Sequence, residues 1–171
     1  DVIEGNFQFN NTRFKVLDTA GIRRKKKVGE NIEYYSVTRA LQSIDVSDVV
    51  LLMIDAKQGL SDQDKKISSQ IVKNGKGVIL VLNKWDLLSD INNEKEAVKD
   101  RVRFLFPILG VAPIIPISAK EGKGLKPLLR MIETINNQLQ QRVETGLLNR
   151  LLQEWVTQNP PPYGKNKFKV R

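Results

Sequence analysis

The apolar residues of this chain fall into short runs whose period changes along the sequence. Asn6 to Phe9 alternates, with Phe7 and Phe9 on one side. Asn10-Asn11 then supplies a two-residue turn, and Phe14, Val16 and Leu17 resume, which predicts a β-hairpin. From Asn31 the spacing lengthens: Ile32, Tyr35, Val37, Leu41 and Ile44 fall broadly at three-to-four spacing, as on one face of a helix. Val49 to Ile54 and Gly77 to Leu82 are continuous apolar runs, the pattern of strands buried on both faces. Between them Ser61 and Asp64 have capping-box spacing, and the helix they start is predicted to stop at Asn74-Gly75. Glu94 to Phe106 reads as an amphipathic helix stopped by Pro107, and Ala112 to Ile117 as a strand. Pro113 and Pro116 assign that strand to a sheet edge. Leu125 to Gln141 is a long helix. Strands alternating with helices in this way predict a doubly wound α/β sheet.

A boundary falls where the polar stretch around Gln140 runs out, giving one domain over residues 1–140 and the start of a second over 141–171. Thr145 is expected to cap a fresh helix with Leu147, Leu148, Leu151, Leu152, Trp155 and Val156 on one face. Asn159-Pro160-Pro161-Pro162 ends it, and Lys165, Lys167, Lys169 and Arg171 then alternate with Asn166, Phe168 and Val170 as a basic-faced strand. The leucine stripe reads as the core face of the first helix of a second small domain.

Composition narrows the chemistry. The chain has no cysteine and no histidine, which removes disulfides, thiolate or imidazole metal sites, and His or Cys catalysis. A reducing cytoplasm is the expected compartment. No apolar run approaches the ~20 residues of a membrane span, so no membrane partner is expected. The net charge of +9 points to a polyanionic partner, nucleic acid first. Five consecutive cations, Arg23, Arg24, Lys25, Lys26 and Lys27, cannot be buried together. They read either as a solvated loop or as a contact to phosphate backbone.

Three polar clusters stand at predicted strand ends. Asn83-Lys84-Trp85-Asp86 follows the central strand, at the carboxyl edge where open α/β sheets bind ligands. Asn and Asp there can meet two sides of a guanine base, the carboxylate accepting from N1–H and the N2 amino group. Adenine presents neither donor in that arrangement. Alone, this spacing reads equally as a polar turn. Asp18-Thr19-Ala20-Gly21 follows the hairpin; Asp18 suits a Mg²⁺ ion, held through water, and Gly21 a close backbone approach to a terminal phosphate. By itself this too is compatible with a plain turn. Ser118-Ala119-Lys120 follows the edge strand, where a backbone N–H could reach guanine O6 and a lysine could cover the base or ribose.

Taken together, in this order and spacing, these clusters resemble the translation-factor-related GTPases. Within them the chain is similar to the Der (EngA) family of bacterial tandem GTPases, to its second G domain plus the opening of its C-terminal KH-like domain. Four stretches carry the resemblance: Asp18 to Val28 with its basic run, Gly59-Leu60-Ser61-Asp62-Gln63-Asp64, Asn83 to Asp86, and Thr145-Gly146-Leu147-Leu148-Asn149. It implies a P-loop GTPase-type sheet followed by the start of a small α+β KH-like domain. The implied activity is GTP binding and hydrolysis, with GTP or GDP and Mg²⁺ as cofactors. Implied partners are the large ribosomal subunit and its rRNA, and a first G domain of the same parent chain. Asn83, Lys84, Asp86, Ser118, Ala119 and Lys120 would hold guanine, Asp18 and Gly21 would serve phosphate and Mg²⁺, and Arg23 to Lys27 would contact RNA.

The sequence departs from that family in two places. No Gly-x-x-x-x-Gly-Lys-Ser/Thr occurs, so the phosphate-binding loop is absent, along with the first strand that precedes it in the family. A chain truncated at its N-terminus, and again inside the second domain, is the expected explanation. Such a fragment would be inactive alone. Ile22 stands where many GTPases carry the glutamine that orients water, so no catalytic residue is identifiable. Two other readings stay open: an RNA-binding or scaffold module with a degenerate G domain, and an unrelated guanine-nucleotide enzyme.

Overall fold

The computed structural model describes residues 3–18, 41–88 and 93–159. They fall into two compact units, Asp1–Leu139 and Gln140–Arg171. The first opens with the hairpin. Strand β1 (Ile3–Phe9) pairs antiparallel with β2 (Thr12–Asp18), Phe9 facing Thr12 across the two-residue turn. Asn10 has φ 51°, the left-handed conformation such a turn demands and asparagine tolerates. Phe7 and Phe14 sit opposite each other with rings stacked at 4.9 Å, and Glu4 and Lys15 pair diagonally on the other face at 3.0 Å.

The main sheet is parallel, in the order β3 (Val49–Asp55), β4 (Gly77–Asn83), β5 (Ile114–Pro116). Strand β4 is central, and its period of two explains the unbroken apolar run. Leu80 and Leu82 enter one core with Leu52, Ile54, Ile67, Ile71, Val102 and Phe106. Ile79 and Val81 enter a second core with Ile117 and Leu128. Each of these four β4 side chains is buried, so each contributes about 1.5–3 kcal/mol of apolar transfer free energy. The first core is closed by helices α1 (Asp62–Lys73) and α2 (Glu94–Leu105), and the second by α3 (Leu125–Gln140). The sheet is therefore covered on both faces, as the doubly wound reading requires. Gly77 permits the close approach of α3: a Cβ there would lie 2.5 Å from Ile135 Cγ2.

Local signals act where the sequence places them. Ser61 Oγ accepts from Asp64 N–H at 3.3 Å, and Asp64 Oδ2 accepts from Ser61 N–H at 2.8 Å, closing the capping box of α1. The edge strand is shorter than the predicted 112–117: Pro113 brings no N–H to the ladder, and Ala112 N–H turns back to Leu109 O at 2.8 Å. Pairing nonetheless continues past both ends, through Leu80 N–H to Pro113 O at 3.0 Å and Ile117 N–H to Leu82 O at 2.9 Å. Of the helix predicted from Asn31, residues 41–46 are helical and the start lies outside the described residues.

In the second unit, α4 (Thr145–Gln158) begins one residue earlier than a Thr145 cap would allow. Glu144 is the cap residue and Thr145 is already helical, with no side-chain capping bond. Asn159 ends the helix, its N–H donating to Trp155 O at 2.8 Å. The proline run and the basic strand beyond it lie outside the described residues.

Strands β2 and β3 do not pair with each other. Among the described residues, each has a partner on one edge only. That gap falls where the family resemblance places a further, central strand. Met53, in the middle of β3, is 44% exposed while its neighbours Leu52 and Ile54 are buried, and Val16 on β2 is 45% exposed. Two open apolar edges invite non-native pairing. Residues 1–171 expressed alone are therefore expected to be insoluble or molten, as read by thermal unfolding and dye binding. A sharp cooperative melt would contradict the strand order.

Candidate functional site

Because β3, β4 and β5 are parallel and in register, their carboxyl ends reach the same edge of the sheet. Asp55 lies opposite Asn83, and Ile117 leads from β5 into Ser118. The two loops leaving β4 and β5 are tied together by backbone and side chain. Trp85 N–H donates to Ile117 O at 3.0 Å. Asn83 Oδ1 accepts from Lys84 N–H at 2.7 Å and from Ala119 N–H at 3.1 Å. Two backbone donors on one side-chain atom fix it as the oxygen. What Asn83 can offer a ligand is its NH₂ group.

Lys84 takes up the left-handed conformation, φ 62° and ψ 34°, and a short 3₁₀ turn over Trp85–Leu87 follows. This sharp reversal leaves Lys84 and Asp86 exposed while Trp85 turns back onto the core beneath the sheet edge. The unspecified residue of Asn-x-x-Asp is thus the anchor of the loop. The Lys99 ammonium lies 5.6 Å from the centre of the Trp85 ring and pairs with Glu96 at 2.7 Å.

Asp86 is exposed but held. The Ser118 hydroxyl donates to its carboxylate, and that bond comes first among the influences keeping its carboxyl below the usual range, against partial desolvation. Its own backbone N–H and the charges of Lys120 and Lys123 act in the same direction. Ser118, itself buried, accepts from Glu121 N–H at 3.2 Å and exchanges two backbone bonds with Lys123, at 3.0 and 3.1 Å. The 118–123 loop is in this way closed on itself. The result is a fixed carboxylate near the cations Lys120 and Lys123, three residues along the chain from the Asn83 amide, an arrangement able to accept from adjacent N–H groups of a planar ligand.

The expectation of an open backbone N–H in Ser118-Ala119-Lys120 narrows to one residue. The N–H groups of Ser118 and Ala119 are both engaged, to Lys123 O and Asn83 Oδ1. The next N–H, that of Lys120, has no partner among the described residues. Asp18 is the last residue of β2 and is exposed, and no cluster of three acidic side chains able to hold a metal occurs among the described residues. A single carboxylate fits a Mg²⁺ ion already held by phosphate, through water, and does not by itself make a cation site. Gly21, Ile22 and the cations Arg23, Arg24, Lys25, Lys26 and Lys27 lie outside the described residues.

With this geometry in view, the comparisons with known proteins decide the family. The model of the elongation factor Tu GTP-binding domain matches residues 4–138. The chain belongs to that family. It is 46% identical over 171 residues to GTPase Der of Treponema pallidum, covering 99% of this chain and 37% of that protein. The chain thus spans little more than a third of that relative. Among solved structures, Era in complex with MgGDPNP and nucleotides 1506–1542 of 16S ribosomal RNA superposes with a TM-score of 0.62 at 33% identity, over 77% of this chain and 43% of that one. A variant of Aquifex aeolicus Era bound to GDP and aluminium fluoride gives 0.64 at the same identity and coverage. The fold is that of the P-loop GTPases.

One residue of the site missed in the sequence is Asp55, which pairs with Lys84 at 2.6 Å. Its signal was its place at the end of an apolar strand, as Asn83 ends the next. Gly124 is a second. It has φ 80°, and a Cβ there would collide with the Pro116 carbonyl. Gly124→Ala is expected to cost roughly 1–3 kcal/mol through backbone strain and to weaken nucleotide binding by displacing the 118–123 loop. Thermal unfolding and nucleotide titration of the full-length protein check both.

Proposed function

We propose that this chain is the base-recognition part of a GTP-hydrolysing switch that acts in assembly of the large ribosomal subunit. The observation that carries the guanine assignment is Asp86, an ionised carboxylate fixed by Ser118, with the N–H of Lys120 open two residues further along that loop. Its two oxygens suit the N1–H and N2 amino group of guanine, and the Lys120 N–H suits O6. Asn83 would present its amide NH₂ to the base, and Lys84 and Lys120 would cover base and ribose with their side-chain stems.

At the other end of the ligand, Asp18 would hold Mg²⁺ through water and Gly21 would approach the terminal phosphate. The ion, when bound, neutralises phosphate charge. Loss of that phosphate on hydrolysis would release the segment after Gly21 and re-aim Arg23 to Lys27. A hydrophobic residue, Ile22, in the water-orienting position means that other groups must place the attacking water. Support for an RNA partner comes from the net charge of +9 and from the 16S RNA bound by Era. A large-subunit target and action in the cytoplasm rest on the likeness to the tandem GTPases.

Two experiments on the full-length protein test this reading. Asp86→Asn turns a donor toward the guanine amino group, donor against donor, whereas xanthine carries a carbonyl at that carbon. The variant is expected to lose GTP by about 100-fold or more and to gain XTP. Loss of folding cannot imitate that reversal. Unchanged GTP affinity would reduce Asp86 to a polar turn residue. Replacing Arg23, Arg24, Lys25, Lys26 and Lys27 by Gln is expected to weaken ribosome association and flatten its salt dependence, with nucleotide affinity little changed. Ribosome binding unaltered across a salt titration would leave this segment a solvated loop.

A further inference from the structure

The guanine loop depends on an unusual backbone conformation, and the group that holds it lies on the neighbouring strand. Lys84 is one of three non-glycine residues with positive φ among those described. Its left-handed turn stands between Asn83 and Asp86, the two residues assigned to the base in the guanine reading above. A lysine gains nothing intrinsic from that conformation, which in L-residues brings Cβ against the carbonyl. Something outside the loop must favour it.

Asp55 is placed to do so. It ends β3 directly opposite Asn83, and Ala56 N–H continues the pairing by donating to Asn83 O at 2.9 Å. The Asp55 side chain is only 10% exposed, whereas that of Lys84 is 52% exposed. One carboxylate oxygen, Oδ1, accepts from the N–H groups of Lys57 at 2.9 Å and Gln58 at 3.1 Å. That leaves the carboxylate no freedom to rotate. The other oxygen, Oδ2, receives the Lys84 ammonium at 2.6 Å. A largely enclosed carboxylate held by two backbone donors is a rigid post, and the flexible lysine is what it orders. The Asp55 carboxyl is correspondingly held below its usual range, first by the Lys84 bond, with partial desolvation opposing.

We propose that Asp55 is a positioning residue of the guanine site: through its ion pair it pins Lys84 in the left-handed turn that aims Asn83 and Asp86 at the base. This rests on the guanine reading above and adds a residue to it. Asp55 touches no ligand. Its effect on affinity passes entirely through Lys84.

That last property makes the inference testable by a double-mutant cycle in the full-length protein, with fluorescent mant-GDP as the probe and mant-ADP as the control. Asp55→Asn keeps an oxygen for Lys57 and Gln58 but removes the charge. It is expected to weaken mant-GDP binding about tenfold, mainly through faster dissociation. In a Lys84→Gln background the same substitution is expected to cause no further loss. It is also expected to raise the melting temperature relative to Lys84→Gln alone, because it removes a carboxylate left without its cation. That comparison does not require the Asp55→Asn single variant to fold well. Asp55→Glu, which keeps the charge, is expected to recover part of the affinity.

Losses that multiply across the two sites would overturn the proposal, as would an Asp55→Asn variant that melts lower but binds mant-GDP like the parent. A parent protein that fails to prefer mant-GDP over mant-ADP would overturn the guanine reading itself, and this one with it. Guanine preference retained in the parent, with an uncoupled cycle, would remove Asp55 alone.

Discussion

Everything at the carboxyl edge of the main sheet depends on the burial of one strand on both faces. Strand β4 has no solvent side: Leu80 and Leu82 belong to one core and Ile79 and Val81 to the other. A one-residue slip would exchange the two sets and mismatch both cores at once. The strand is therefore fixed along its own axis, and so is the point at which it ends. Asn83 emerges at a defined height beside Asp55, and the residues after it inherit that precision. Gly77 at the opposite end contributes by letting α3 close against the sheet.

Much of this was legible in the sequence because the signals were local. Alternation at Phe7 and Phe9 with Asn10-Asn11 gives the hairpin, Ser61 with Asp64 gives the start of α1, and the two continuous apolar runs give β3 and β4. Each uses residues a few positions apart, within reach of a periodicity. The fold class followed from their order, and the motifs Asn83 to Asp86 and Ser118 to Lys120 indicated the family.

What escaped was non-local or depended on a single atom. Asp55 and Lys84 are far apart in sequence and meet only because β3 and β4 pair in register. No pattern in either strand announces that pair. The engagement of the Ala119 N–H by Asn83 likewise depends on two loops from different strands meeting, and the next N–H, that of Lys120, has no partner among the described residues. Thr145 was misplaced by one position for another reason: a favourable cap residue does not act as a cap where the chain enters the helix at Glu144 instead. The start of β5 was drawn too early because Ala112 beside Pro113 looks like strand, though its N–H turns back to Leu109 O at 2.8 Å and Pro113 brings none.

The shared acceptor at Asn83 has a mechanical consequence. Lys84 and Ala119 donate to the same oxygen, at 2.7 and 3.1 Å, and Trp85 adds a backbone bond to Ile117 at 3.0 Å. Neither loop can swing outward without stripping a partner from the other. The two are jaws hinged on one pin, and they open together or not at all. Side chains carried by the two loops therefore keep one spacing, set by these three bonds and not by anything that lies between them.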